Sequence, residues 1–111
     1  MSDTLTMTDA EILDQIVAET AENRVFLYLK GTPDAPRCGF SNQVVQILNI
    51  TGTEFGSRDV LTDPRIREVL AEHSEWPTIP QLFVDGKLVG GCDITTEMYQ
   101  NGELQELLGG K

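Results

Sequence analysis

Apolar residues recur at helical spacing near the start of the chain. The positions are Ile12, Leu13, Ile16 and Val17. They follow a capping box in which Thr8 is the N-cap and Glu11 stands at the third helical position. This pattern predicts a helix that runs to about Glu22, and residues 1–7 before it are expected to be disordered.

Two further stretches have helical spacing and recognisable ends. One begins near Gly39 and is ended by Gly52. Its apolar positions are Val44, Val45, Ile47 and Leu48. The other begins at Asp63-Pro64, an N-cap followed by proline at the first helical position, and ends before Trp76. Its inward-facing positions are predicted to be Ile66, Val69 and Leu70.

Shorter apolar runs between these stretches predict strands. Val25–Leu29 is apolar throughout, which is typical of a central strand buried on both faces. Gln81–Val84 and residues 88–89 flank Asp85-Gly86, a common tight hairpin turn. Residues 53–60 contain few apolar positions and predict a short edge strand.

The chain closes with a last helix, and the order of all elements indicates the fold class. This helix carries Ile94 and Met98, breaks at Asn101-Gly102, and precedes a terminal turn with three leucines. The order is α-β-α-β-α-β-β-α, in which a right-handed β-α-β unit with parallel strands precedes an antiparallel hairpin. It predicts an α/β domain over residues 1–111, with a mixed four-stranded sheet and helices on both faces.

Composition and charge narrow the classes of partner. A net charge of −10 argues against nucleic acid and against anionic membrane surfaces as partners. No apolar run approaches the roughly 20 residues that a membrane span needs. Residues 1–4 do not resemble a signal peptide, and two cysteines are too few for a secreted disulfide framework. We therefore expect a cytoplasmic protein, or one from an organelle interior if the chain is a processed form.

The candidate reactive group is the thiol of Cys38, between the first predicted strand and the second predicted helix. Free N–H groups and the positive dipole end at a helix start favour a thiolate. Lys30 and Arg37 are expected to act in the same direction. Three positions further on stands Ser41, where a dithiol redox motif would carry a second cysteine, and a hydroxyl cannot resolve a mixed disulfide.

Three separated motifs, together with the order of the elements, carry a family resemblance. The motifs are Cys38-Gly39-Phe40-Ser41, Trp76-Pro77-Thr78-Ile79-Pro80 and Gly90-Gly91-Cys92-Asp93. With a lysine eight positions before the first cysteine, they resemble the monothiol glutaredoxins over nearly the whole chain. The resemblance implies a thioredoxin-like (glutaredoxin) fold, in which Pro80 is a cis proline facing Cys38.

The resemblance also implies a binding site for glutathione beside Cys38. Lys30 and Arg67 would bind its glycyl carboxylate. As three of only eight basic residues, Lys30, Arg37 and Arg67 are expected to face one groove. The competing interpretation of each cation is an ordinary solvated surface charge.

The remaining glutathione contacts implied by the resemblance lie further along the chain. The backbone of Ile79 would pair with the cysteinyl unit, as an added strand does. The N–H of Cys92 and the carboxylate of Asp93 would hold the γ-glutamyl end. Asp93 can also serve as the N-cap of the last helix.

Three roles remain open for the thiol of Cys92. It could be a second metal ligand, a disulfide partner for Cys38, or incidental to a small residue. The family tolerates other residues at this position, so the resemblance favours the incidental role. Outside the site, His73 is expected at the surface and Trp76 in packing.

The number of ligands connects the motif to a function. A [2Fe–2S] cluster generally has four ligands, mostly thiolates. Two copies of Cys38 and two glutathione thiolates supply four. The resemblance implies this arrangement, a glutathione-ligated cluster bridging a homodimer and transferred to apo iron–sulfur client proteins. It also implies cluster-bridged heterodimers with BolA-family proteins, in which a histidine of the partner replaces a ligand.

Two rival functions use the same residues. The first is a glutathione-dependent oxidoreductase, in which the Cys38 thiolate attacks a glutathionylated protein and a second glutathione releases it. Ser41 does not prevent that monothiol cycle. The second is an interaction domain with a vestigial site, which the presence of Lys30, Arg67 and Asp93 argues against.

Overall fold

The structure of the chain, a computed structural model, describes residues 7–109. The helices are α1 (Asp9–Glu22), α2 (Gly39–Ile50), α3 (Pro64–Ser74), α4 (Cys92–Asn101) and α5 (Glu103–Gly109). The strands are β1 (Val25–Leu29), β2 (Gly31–Thr32), β3 (Ala35–Pro36), β4 (Gly56–Asp59), β5 (Gln81–Val84) and β6 (Lys87–Gly90). This order confirms the predicted sequence of helices and longer strands, except that the predicted terminal turn is a helix, α5.

The main sheet has four strands in the order β4-β1-β5-β6. Strand β1 pairs parallel with β4 and antiparallel with β5, and β5 pairs antiparallel with β6. The predicted mixed sheet, its hairpin and the edge position of residues 53–60 are therefore confirmed. The edge strand is shorter than predicted, because only Gly56–Asp59 pairs with β1.

The continuous apolar run of β1 is explained by two cores, one on each face of the sheet. Alternate residues Val25, Leu27 and Leu29 pack with side chains of α2, α4 and α5. Phe26 and Tyr28 pack on the opposite face with side chains of α1 and α3. All five residues of β1 are buried, so the strand lies at the centre of the domain with helices on both faces.

The predicted helix starts are formed as the sequence indicates. The Thr8 hydroxyl accepts from the Glu11 N–H at 3.1 Å, and the Glu11 carboxylate accepts from the Thr8 N–H at 2.8 Å. The Asp63 carboxylate accepts from the Arg65 N–H at 3.0 Å, and Pro64 opens α3. Of the segment predicted to be disordered, residues 1–6 lie outside the described residues, and Met7 packs against the core on the α1 side of the sheet.

The sequence did not predict the small ribbon formed by β2 and β3. Gly31 adopts φ +93° there, and a Cβ on it would lie 2.6 Å from the Ala35 carbonyl oxygen. Glycine is therefore required for the ribbon to close. The ribbon leads the chain from the end of β1 to Cys38. No described helix is long and apolar enough to cross a membrane.

Candidate functional site

Cys38 is the N-cap residue of α2, at the helix start where the sequence predicts it. Its thiol is free and partly exposed. The N–H groups of Ser41 and, more weakly, Phe40 donate to the sulfur, and with the charge of Lys30 and the Ser41 hydroxyl they lower the pKa of Cys38. Desolvation raises the pKa and is second in size only to the effect of the Ser41 N–H, but the lowering contributions together outweigh it. The site therefore favours the thiolate.

Arg37 does not contribute to this pKa shift, contrary to the expectation from the sequence. Its side chain is exposed, where water and salt screen its charge. It also does not line the groove beside Cys38, whereas Lys30 and Arg67 do. The expectation that all three cations face one groove is therefore wrong for Arg37.

Ser41 is fully buried and has a structural role beside Cys38. Its hydroxyl accepts a hydrogen bond from the Lys30 N–H at 3.1 Å, so it connects the end of β1 to the first turn of α2. A dithiol motif would have its second thiol at this position. Here the position holds a hydroxyl that is hydrogen-bonded to the backbone of Lys30.

A groove of about 400 Å³ lies beside the Cys38 thiol. The structure brings all six predicted site residues together in its lining. They are Lys30, Cys38, Arg67, Ile79, Cys92 and Asp93. The sequence analysis missed three other lining side chains, Phe40, Thr78 and Ile94, although Phe40 and Thr78 belong to the motifs that it singled out.

One wall of the groove is formed by the loop before β5 and the start of α4. The Ile79–Pro80 peptide bond is cis, which confirms the prediction for Pro80. The side-chain amide of Gln81 donates to the carbonyl oxygens of Trp76 at 2.8 Å and Thr78 at 3.2 Å, and holds the loop against the sheet. Trp76 is more than the packing residue that we expected, because its indole lines the groove.

Gly91 allows the loop and α4 to approach closely. A Cβ on Gly91 would lie 3.2 Å from both the Pro80 carbonyl oxygen and the Trp76 Nε1 atom. Such distances are tighter than ordinary van der Waals contact, so a larger residue would have to displace one of these neighbours. The absence of a side chain at Gly91 therefore allows the short distance between the loop before β5 and the start of α4.

The N-terminal end of α4 contributes Cys92 and Asp93. Gly91 is the N-cap of this helix, so the alternative role of Asp93 as the N-cap is wrong, and Asp93 lies in the first turn with an exposed side chain. Cys92 is buried, and burial raises the pKa of its thiol. Its sulfur lies 3.9 Å from the Thr96 hydroxyl, and both cysteines of the chain are free.

Residues 7–109 contain no cluster of three or more histidine, cysteine or acidic side chains able to hold a metal ion. Within this part of the chain, Cys38 therefore belongs to no group of three or more metal ligands. The described part of one chain offers one thiolate, a groove with two cations, and an exposed carboxylate on α4. This arrangement can bind an elongated ligand of mixed charge and use the thiolate as a nucleophile or as one metal ligand.

Comparisons with known proteins identify the family of the chain. The glutaredoxin family model matches residues 25–89. A Synechocystis protein named "Uncharacterized monothiol glutaredoxin ycf64-like" is 55% identical over 96 residues, covering 86% of this chain and 87% of the relative. Glutaredoxin 4 of Escherichia coli K12 is 53% identical over 96 residues, covering 86% and 84%.

A solved structure also resembles the chain. The solution structure of reduced apo GrxS14 from poplar has 50% sequence identity and a TM-score of 0.72, and the match covers 85% of this chain and 84% of that one. The family model covers more than half of the chain, and both relatives are more than 50% identical to it over 86% of its length. The chain therefore belongs to the glutaredoxin family, in its monothiol class.

Proposed function

We propose that this chain carries a [2Fe–2S] cluster and transfers it to apo iron–sulfur proteins. Two copies would each contribute the Cys38 thiolate and one bound glutathione, whose thiolates complete the four ligands. The cluster is cargo in this proposal. A BolA-family protein would replace one of the copies in a heterodimer. A reducing interior, such as the cytoplasm, would keep both cysteines as thiols.

The charge arrangement of the groove is the observation that carries the proposal. Glutathione has two carboxylates, one ammonium group and a thiol between them. The groove offers Lys30 and Arg67 for a carboxylate, the Asp93 carboxylate for the ammonium group, and Cys38 beside the place of the thiol. Neither Lys30 nor Arg67 forms an ion pair with another described residue, so both cations are available to a ligand.

The properties of the two thiols support this ligand set. A cysteine binds a metal as a thiolate, which the surroundings of Cys38 favour and those of Cys92 disfavour. The described residues hold no group of three or more metal-binding side chains, so the proposal takes the other ligands from outside this part of the chain. Glutathione in the adjacent groove would supply one per copy.

The same thiolate favours a second candidate function, glutathione-dependent disulfide reduction. Cys38 would attack the glutathione sulfur of a protein mixed disulfide, release the protein thiolate and form a Cys38–glutathione disulfide. A second glutathione thiolate would attack the glutathione sulfur of that disulfide, giving oxidised glutathione and free Cys38. The buried Ser41 hydroxyl does not act as a second nucleophile in this exchange.

Reconstitution of two cysteine variants tests the proposed ligand set. With iron, sulfide and glutathione under anaerobic conditions, the unmodified protein and Cys92→Ser should form a coloured dimer with one cluster. Cys38→Ser should remain a colourless monomer, because it lacks the only accessible thiolate. Visible absorption and size-exclusion chromatography measure both properties. If Cys92→Ser lost the cluster while its circular dichroism stayed native, Cys92 would be a ligand and the proposal would be wrong.

A further inference from the structure

The cations of the described chain divide into two groups. Of the seven lysines and arginines among residues 7–109, three form ion pairs with carboxylates, namely Arg24, Arg58 and Arg65. The four without a carboxylate partner in this part of the chain are Lys30, Arg37, Arg67 and Lys87. Three of these four lie in the groove or directly beside Cys38 in sequence. Unpaired positive charge is therefore concentrated at the reactive thiol of a chain with net charge −10.

Arg37 differs from the other two cations at the site because it does not line the groove. Glutathione bound in the groove would place a carboxylate beside Lys30 and Arg67, whereas Arg37 would keep no carboxylate partner among the described residues. Together with Gly39 and Phe40, Arg37 forms an exposed rim around Cys38, and the Phe40 side chain is 61% exposed. We call these three residues the Arg37 rim.

We propose that the Arg37 rim is a docking surface for an acidic protein that accepts the cluster, and that Arg37 pairs there with a carboxylate of the acceptor. The inference rests on the proposed function, because an acceptor of the cluster has to approach Cys38 and therefore has to contact the rim. Phe40 supplies apolar contact area beside the charge, in the usual arrangement of an interface centre.

Charge complementarity selects an acidic acceptor over a second copy of this chain. A cluster held by Cys38 of two copies brings their two rims together, so the acceptor reaches a rim by taking the place of one copy, and the repulsion between the two Arg37 side chains favours that exchange. An acidic acceptor instead brings a carboxylate to Arg37, and these two opposite charges attract each other. The net negative charge of the chain repels it from most of the surface, whereas Arg37, which has no carboxylate partner in the described part of the chain when glutathione is bound, attracts it beside Cys38, so the charge distribution orients the encounter.

A pair of charge reversals tests this inference. Arg37→Glu reverses the charge of the rim. Lys87→Glu makes the same charge reversal at an unpaired cation that lies on the β5–β6 hairpin, outside both the groove and the rim. The probe is the apo form of a plant-type [2Fe–2S] ferredoxin with net negative charge. Cluster transfer from the glutathione-loaded holo-dimer is followed by visible circular dichroism at low and high salt. Loss of iron to the small neutral chelator bipyridine measures cluster retention without protein docking.

We expect Arg37→Glu to slow transfer to apo-ferredoxin on the order of tenfold at low salt, with a smaller effect at high salt. Its iron loss to bipyridine and its dimer formation should match those of the unmodified protein. Lys87→Glu should stay within about twofold of the unmodified protein, since rim charges affect association locally. Equal transfer rates for the two variants would overturn the proposal. Loss of the dimer in Arg37→Glu would also overturn it, by assigning the rim to the contact between copies.

Failure of the proposed function can be distinguished from failure of the docking proposal. If the unmodified protein holds no cluster, that function is wrong, and the rim is tested by calorimetric titration of the apo-protein with apo-ferredoxin at low salt. Weaker binding by Arg37→Glu than by Lys87→Glu would then support the acidic docking surface. Equal affinities, or no binding by any of the proteins, would overturn it.

Discussion

Cys38 and Cys92 differ in exposure and in the protonation state that their surroundings favour. Two backbone N–H groups, the Ser41 hydroxyl and the charge of Lys30 stabilise the Cys38 thiolate. Burial and the nearby Asp93 carboxylate disfavour the Cys92 thiolate, and the contact with the Thr96 hydroxyl only partly offsets them. Although both residues stand at helix starts, the surroundings favour the thiolate only at Cys38.

This difference predicts the pH dependence of alkylation. At neutral pH, iodoacetamide should modify Cys38 much faster than Cys92, because the thiolate is the nucleophile. The pKa of Cys38 is lowered, so its rate should persist below the usual thiol range and fall only as the pH drops through that lowered value. Cys92, with its raised pKa, should react appreciably only in alkaline solution. Peptide mass spectrometry after timed alkylation measures both profiles.

The Cys92→Ser variant is the control for the alkylation profile. It should leave the pH profile of Cys38 nearly unchanged, because Cys92 is not among the groups that shift the Cys38 pKa. Equal alkylation rates of the two cysteines in the folded protein at neutral pH would contradict the assignment of the thiolate to Cys38.

At the scale of elements, the site is built where the start of α4 meets the loop that carries cis Pro80. Gly91 is both the N-cap of α4 and the point of closest approach to that loop. Trp76 and Pro80 line the groove on the other side of this contact. The position of α4 relative to the loop therefore sets the shape of the groove.

Replacement of Gly91 by alanine should disturb this contact. A Cβ 3.2 Å from a backbone carbonyl and an indole nitrogen forces a local shift, and alanine is also a poorer N-cap than glycine. We expect a loss of about 1–3 kcal/mol in the free energy of unfolding and weaker glutathione binding. Denaturant unfolding and calorimetric titration with glutathione measure the two effects.

Gly39→Ala provides a matched control for that substitution. Gly39 also stands at a helix start in the site, but a Cβ there meets nothing within 4 Å, and its φ is not positive. The variant should have a free energy of unfolding equal to or above that of the unmodified protein, because alanine favours helix more than glycine does. If Gly91→Ala behaved like Gly39→Ala in both measurements, the close approach at Gly91 would not shape the groove.

For the molecule as a whole, local sequence patterns predicted the α/β order, the mixed sheet, the hairpin and the helix starts. The β2–β3 ribbon was missed because strands of two residues have no hydrophobic period to detect. The six predicted site residues do meet in one groove. This could be predicted because the family resemblance linked motifs that lie far apart in the chain. The exclusion of Arg37 from the groove was not predictable, since the path of the ribbon leading to it is set by the contacts around Gly31.

The central claim concerns the whole assembly, a cluster shared by two chains and two glutathione molecules. Native mass spectrometry of the anaerobically reconstituted protein tests it most directly, because the mass counts every component of the complex. With glutathione, we predict the mass of two chains, one [2Fe–2S] cluster and two glutathione molecules, and without any added thiol only cluster-free chains. A cluster-bearing species that contains no glutathione, or a single chain that holds the whole cluster, would contradict the account.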